Sequence, residues 1–119
     1  MLEDEVFKKR KLNKDKLIPY GFILENNIYK YSKLIMDDIF RVDITINSKG
    51  NIIGKVYDLD GDYEYTNFRL EIVKGDFVNR VKDEYIKVLE SIANNCYTEE
   101  YFIYKQSNEV SNLIKEKYN

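Results

Sequence analysis

Apolar and polar residues alternate along the middle of the chain, interrupted by turn-forming residues at short intervals. The clearest alternation runs from Phe40 to Ile46, where every second residue is apolar. A period of two is typical of a strand with one buried face. Candidate turns fall at Asn26-Asn27, Asp37-Asp38, Ser48-Lys49-Gly50 and Asp60-Gly61. Residues 21–70 are therefore predicted to form a five-stranded antiparallel β-meander.

The turn lengths also predict the register of the central strands. A three-residue loop at 48–50 places Ile46 opposite Ile52. A two-residue type I′ turn at Asp60-Gly61 places Val56 opposite Tyr65. The face expected to meet the core then carries Phe40, Val42, Ile44, Ile46, Ile52, Val56, Tyr63 and Tyr65. The opposite face carries charged residues together with Ile53, Tyr57, Leu59 and Phe68.

Helical patterns flank the meander on both sides. Residues 1–20 are predicted to be a helical lead-in, with Asn13 as an N-cap and Pro19 as the stop. After the meander, a long helix is predicted over about 76–96, packed on the apolar sheet face. Its apolar stripe consists of Phe77, Val78, Val81, Tyr85, Val88, Leu89, Ile92 and Cys96. A polar bend at 98–100 and a C-terminal helix at 107–118 follow. The predicted fold is one α+β domain over residues 1–119.

Composition removes several kinds of chemistry from consideration. The 119 residues include no histidine and a single cysteine, Cys96. The usual near-neutral proton shuttle is therefore missing, as are an internal disulfide and a thiolate zinc site within one chain. We expect no catalytic residues, no cofactor and no metal. The acidic N-terminus is unlike a signal peptide and no apolar run is long enough to span a membrane, so we expect a cytoplasmic protein with no membrane partner.

The acidic run from Asp58 to Glu64 has some likeness to a calcium-binding loop. Counted from Asp58, the glycine falls at position 4 instead of 6, and Arg69 stands where such a loop needs a bidentate glutamate. Neighbouring strand residues also point to opposite faces, so the carboxylates do not converge. We interpret the run as a turn with solvated acids.

A basic segment before the meander has two open interpretations. Its cations are Lys8, Lys9, Arg10, Lys11, Lys14 and Lys16. They would contact phosphates in a nucleic-acid-binding module, with Tyr20 or Tyr29 stacking on bases. Alternatively, they form a solvated helix C-terminus, where the helix dipole favours cations. The net charge of −2 gives no overall electrostatic preference for nucleic acid.

The second sheet face is the other candidate site. Its apolar residues are Ile53, Tyr57, Leu59 and Phe68, and no predicted element is assigned to cover them. This face is either the seat of the N-terminal helix or an exposed apolar patch where a partner protein docks. Both interpretations stay open at the level of sequence.

Five segments carry a resemblance to a known family: YGF at 20–22, GKVYDL at 54–59, EYTNFR at 64–69, NNCY at 94–97 and QSN with IKEKY within 106–118. Together they resemble the N-terminal module found ahead of the YjbR-like domain in longer MmcQ/YjbR-family proteins of low-GC Gram-positive bacteria. That family is often labelled DNA-binding, a label that belongs chiefly to the YjbR-like domain, expected to begin near residue 107 and otherwise missing here. Because the pattern predicts a complete fold without a reactive constellation, we expect a non-enzymatic accessory or protein-interaction module of such a protein, whose partner is another protein or that missing domain.

Overall fold

The computed structural model describes residues 2–99, and these form a mixed helix and strand fold. In chain order the elements are α1 (Leu2–Phe7), β1 (Arg10–Leu12), a 3-10 turn (Lys14–Lys16), α2 (Leu17–Tyr20), β2 (Ile23–Glu25), β3 (Ile28–Ile35), β4 (Phe40–Ile46), β5 (Ile52–Asp58), β6 (Tyr63–Glu64), a second 3-10 turn (Asn67–Arg69), α3 (Asp76–Cys96) and β7 (Tyr97–Glu99). The predicted C-terminal helix at 107–118 lies outside the described residues.

The main sheet is the predicted antiparallel meander, with strand order β2-β3-β4-β5-β6. Its register is confirmed, because Ile46 pairs with Ile52 and Val42 pairs with Val56. On β4 the inward positions are all buried and the outward positions are half-buried. Strict alternation along β4 therefore separates the core side of the sheet from its outer side.

The turns combine one confirmed prediction with one correction. Asn26 and Asn27 both have positive φ, at 52° and 64°, as a two-residue hairpin turn requires. The predicted type I′ turn at Asp60-Gly61 is wrong, because the positive φ falls on Asp62 at 54°. The Asp58 carboxylate accepts the backbone N–H groups of Asp60 and Gly61, at 3.0 and 3.2 Å, and so shapes a longer loop.

The last strand of the meander is much shorter than predicted. The register still holds, since the Tyr65 N–H donates to the Val56 carbonyl at 2.7 Å. Beyond Glu64, however, the chain turns inward, and Phe68 lies in the 3-10 turn. Phe68 is buried, with its ring 5.2 Å from that of Tyr85, so its assignment to the outer face is wrong. Burial of an aromatic side chain outweighs continued pairing at the sheet edge.

The N-terminal twenty residues are only partly helical. β1 pairs with β7 in a separate two-stranded sheet, with Arg10 opposite Glu99. A strand at Arg10–Leu12 therefore interrupts the predicted helical lead-in, and residues 98 and 99 lie in a strand instead of the predicted polar bend. Asn13 is a cap, as predicted, because its side chain accepts the Asp15 N–H at 3.2 Å. Pro19 lies inside α2, within the first turn, where its missing N–H leaves no helical bond unmade.

The long helix α3 confirms its predicted bounds and packs on the inner sheet face. Its buried residues are Val81, Tyr85, Val88, Leu89, Ile92, Ala93 and Cys96. These join Val42, Ile44, Ile46 and Val56 in the main hydrophobic core. Two predicted core residues are exposed instead, Tyr63 at 52% and Phe77 at 49%. Phe77 lies in the first turn of α3 and reaches the core only edge-on, 5.7 Å from the Phe40 ring.

Candidate functional site

The structure divides the predicted outer-face residues among three places. Phe68 is in the core, as described above. Ile53 is 55% exposed and lies on the lip of a groove beside α1. Tyr57 and Leu59 lie toward the other end of β5, near the loop that leads to β6. The four residues therefore do not form one continuous patch.

Tyr57 and Leu59 belong to a surface that we call the sheet end, completed by Ile39. The Leu59 N–H donates to the Ile39 carbonyl at 3.1 Å, which joins the β3–β4 and β5–β6 connections. Ile39 and Leu59 are 40% and 39% exposed. Tyr57 is half-buried because the Arg41 guanidinium lies over its ring, 5.2 Å from the centroid. The sheet end is therefore an apolar surface built from two loops and a strand.

The two loops of the sheet end and the strand residues that flank them carry acidic residues. They are Asp37, Asp38, Asp58, Asp60, Asp62 and Glu64. Asp37 pairs with Arg80 at 3.1 Å, and Asp58 caps the backbone of its own loop. Within residues 2–99, no three acidic or cysteine side chains gather in a way that could hold a metal ion. The carboxylates give the sheet end a negative rim.

The basic segment lies at the opposite end of β5. The Lys14 ammonium donates to the Ser48 carbonyl at 3.3 Å, so the segment sits beside the β4–β5 turn. β5 has seven residues, which puts about 20 Å between this turn and the sheet end. We use the name basic end for the lysines of this segment together with Lys49 of the turn: Lys8, Lys9, Lys11, Lys14, Lys16 and Lys49.

Arg10 differs from the other cations of the segment. Its guanidinium donates to the Asn94 side chain at 3.3 Å and lies 3.7 Å from the Glu99 carboxylate. These contacts tie β1 to the end of α3 and to β7. Arg10 therefore has a structural role within the fold, although its position in the sequence grouped it with the lysines that were predicted to contact phosphate.

A buried polar cluster that the sequence did not reveal holds α1 in place. The Glu3 carboxylate accepts two hydrogen bonds from Arg69, at 2.6 and 3.1 Å, and one from the Tyr85 hydroxyl. Glu3 is only 3% exposed. Burial opposes its ionisation, but the hydrogen bonds from Arg69 and Tyr85 prevail and lower the pKa of Glu3. Burial and the neighbouring Glu3 carboxylate raise the pKa of Tyr85.

Gly54 makes room for this cluster. It occupies an inward position on β5, and a Cβ there would overlap the Tyr85 hydroxyl. Its carbonyl accepts a further hydrogen bond from Arg69 at 2.9 Å. A glycine inside a strand marks a close approach of this kind, and it is the one sequence signal that could have indicated the cluster. With Glu3 held ionised and its donors committed, the cluster is suited to positioning α1, not to proton transfer.

A groove beside α1 has a volume of about 790 Å³. Its apolar lining consists of Leu2, Ile52, Ile53, Phe68, Leu70, Val73 and Val78. Arg69 lies in its wall, but three of the Arg69 hydrogen bonds already go to Glu3 and Gly54. The groove is also lined by charged side chains, among them Glu5, Lys55, Glu71, Lys74 and Lys82. A ligand site needs polar groups that converge on a small molecule, whereas most of these side chains are exposed to solvent.

Cys96 is buried and serves as part of the core. Its thiol lies 3.7 Å from the Lys16 carbonyl, and burial raises the pKa of the thiol. A raised pKa disfavours the reactive thiolate, so Cys96 acts as a small apolar residue.

Comparisons with known proteins returned no family model, no curated protein and no solved structure that matches this chain. Separately, none of the helices within residues 2–99 combines the length and apolar character that crossing a membrane requires.

Proposed function

We propose that this chain is a non-enzymatic accessory module that binds a partner protein through the sheet end. The observation that carries the proposal is the backbone hydrogen bond from Leu59 to Ile39, which places two exposed apolar side chains side by side. Exposed apolar residues inside a polar rim are typical of protein interaction sites.

The rim indicates the chemistry of the partner. The loops of the sheet end and the strand residues that flank them carry six acidic residues, against Arg41 and Arg80 as nearby cations. A complementary surface presents an apolar anchor framed by lysine or arginine. On the family resemblance, we propose a YjbR-like domain of a longer MmcQ/YjbR-type protein as such a partner.

The test is a titration of the isotope-labelled full chain with a purified YjbR-like domain, followed by amide chemical shifts. We expect shifts concentrated at Ile39, Tyr57 and Leu59, with Leu59→Asp weakening binding about tenfold or more. Ile23→Asp is the matched control, because Ile23 is 59% exposed on β2, across the sheet. Shifts elsewhere, or equal effects of both substitutions, would contradict the proposal.

A second candidate function is nucleic-acid binding at the basic end. It is favoured by the contact between Lys14 and Ser48, which brings Lys49 next to the basic segment and so enlarges the cationic surface beyond what the segment alone supplies. The acids at 58–64, which would oppose a phosphate backbone, lie at the far end of β5.

Binding of a duplex or single-stranded oligonucleotide at about 50 mM salt tests this second candidate. We expect affinity to fall with added salt and to be lost in Lys9→Glu/Lys11→Glu. Arg10 is left unchanged in this variant because it pairs with Glu99. Lys33→Glu/Lys87→Glu makes the same change in charge at exposed positions elsewhere and should bind normally. Absence of binding at low salt would remove the candidate.

A further inference from the structure

The chain itself carries a surface of the kind that the sheet end requires. Ile18 is 52% exposed on α2, and the 3-10 turn that leads into α2 carries Lys14 and Lys16 with Asp15 between them. An apolar side chain framed by lysines is the counterpart of Leu59 framed by aspartates. The same molecule therefore presents both halves of a complementary contact.

One molecule cannot bring these halves together. The basic end adjoins the β4–β5 turn, whereas the sheet end adjoins the opposite end of both strands. The intervening β5 spans about 20 Å and is held rigidly between β4 and the core. Any direct contact between the two surfaces must form between different molecules.

Contacts within the fold leave much of each charged surface available. Along the described part of the chain, no ion pair engages Lys9, Lys11 or Lys16. In the acidic rim, Asp60 and Glu64 are exposed and likewise make no ion pair there. When such charges are not paired within the fold, the positive surface of one molecule attracts the negative surface of another. Added salt weakens that attraction.

We propose that a second copy of this chain competes with the YjbR-like domain for the sheet end and docks there head-to-tail through its basic end. The inference rests on the proposed function, since it uses the same sheet end and specifies a second occupant. Because the two surfaces are different and lie at opposite ends, the contact is heterologous and extends into short open chains of molecules. The association is weak and sensitive to ionic strength.

The test uses two charge-reversed variants of the full chain. Lys11→Glu/Lys16→Glu disables the basic end, and Asp60→Lys/Glu64→Lys disables the sheet end, all at exposed positions. We expect wild-type mass, measured by light scattering at about 20 mM salt, to rise at least twofold with concentration and to return to monomer at about 0.3 M. Each variant alone should stay monomeric. Their equimolar mixture should regain association, because the intact sheet end of one variant meets the intact basic end of the other.

The control is Lys33→Glu/Lys87→Glu, which should associate like wild type. A monomeric wild-type chain at low salt overturns the inference, as does a mixture that forms no dimer or a single variant that still associates. If the chain stays monomeric but still binds the YjbR-like domain at Leu59, only the inference of a second copy as partner is wrong. If the chain neither self-associates nor binds the YjbR-like domain, the proposed function fails as well.

Discussion

Two arginine–carboxylate pairs in this protein have the same chemistry and opposite surroundings. Arg41 donates to Asp43 two residues away, at 2.9 and 3.0 Å, on the outer sheet face. Arg69 donates to Glu3 sixty-six residues away, beneath α1 and against α3. The carboxylate of the outer pair is 30% exposed and that of the inner pair is 4% exposed.

The comparison shows that hydrogen-bond geometry alone does not determine how much such a pair contributes to stability. Water screens the outer pair and would solvate either partner if the other were removed. In the inner pair, the Tyr85 hydroxyl and the Gly54 carbonyl take the place of water as hydrogen-bond partners. Removing one partner therefore leaves the other charge buried with few groups to hydrogen-bond to. The inner pair therefore fixes the position of α1, whereas the outer pair joins two side chains of the same strand, β4.

The largest expected effect is that of removing each arginine. Arg69→Met should lower the free energy of unfolding by about 3 kcal/mol, because Glu3 stays buried without its counter-charge. Arg41→Met is the matched control and should cost under about 1 kcal/mol. Urea denaturation at neutral pH measures both. Similar losses in the free energy of unfolding for the two variants would show that burial does not change what each pair contributes to stability.

A substitution at Gly54 probes the space that the inner pair needs. Gly54→Ala should cost about 2 kcal/mol, because the new methyl group overlaps the Tyr85 hydroxyl that donates to Glu3. In a Tyr85→Phe background the penalty should shrink, since the overlapping oxygen is gone. Gly61→Ala is the control, because only the exposed ring of Tyr63 lies near it and can move aside. A penalty unaffected by Tyr85→Phe would contradict this account.

The smallest expected effect is in the pH dependence of stability. The pKa of Glu3 is lowered from its ordinary 4.5 in the folded protein, so its ionised form stabilises the fold above that pH. This contribution is lost as the pH falls through the folded-state pKa. Glu3→Gln should be less stable than wild type by about 1 kcal/mol at pH 7, with the difference shrinking below about pH 4.5. A difference that stays constant down to pH 3 would mean that Glu3 ionisation is not linked to folding.

Much of the fold was predictable from short-range patterns. Alternation from Phe40 to Ile46 and the turn at Asn26-Asn27 each depend on a few neighbouring residues, and both are confirmed. The bounds of α3 followed from an apolar stripe of about twenty residues. The errors lie where contacts between distant segments override local preferences. The β1–β7 pairing joins residues more than eighty positions apart, and no local sequence pattern predicts it.

The candidate site was less predictable than the fold. The sequence grouped Phe68 with Tyr57 and Leu59 by continuing strand alternation past Glu64, but the chain bends inward there to bury the Phe68 ring. Ile39 was missed, because only the hydrogen bond across two loops makes it a neighbour of Leu59. The MmcQ/YjbR relationship and the interaction function stay predictions.

By itself, the sequence determined the α+β class, the order and register of the meander and the limits on chemistry that follow from having no histidine. Those properties depend on residue types and on contacts between neighbours along the chain. Only the tertiary structure decided that Glu3, Gly54, Arg69 and Tyr85 form one buried cluster, and that cations and acids collect at opposite ends of β5. The physical reason is that both features depend on the folded shape. Residues far apart in sequence can share a buried site, or lie at opposite ends of a sheet, only after the core has formed.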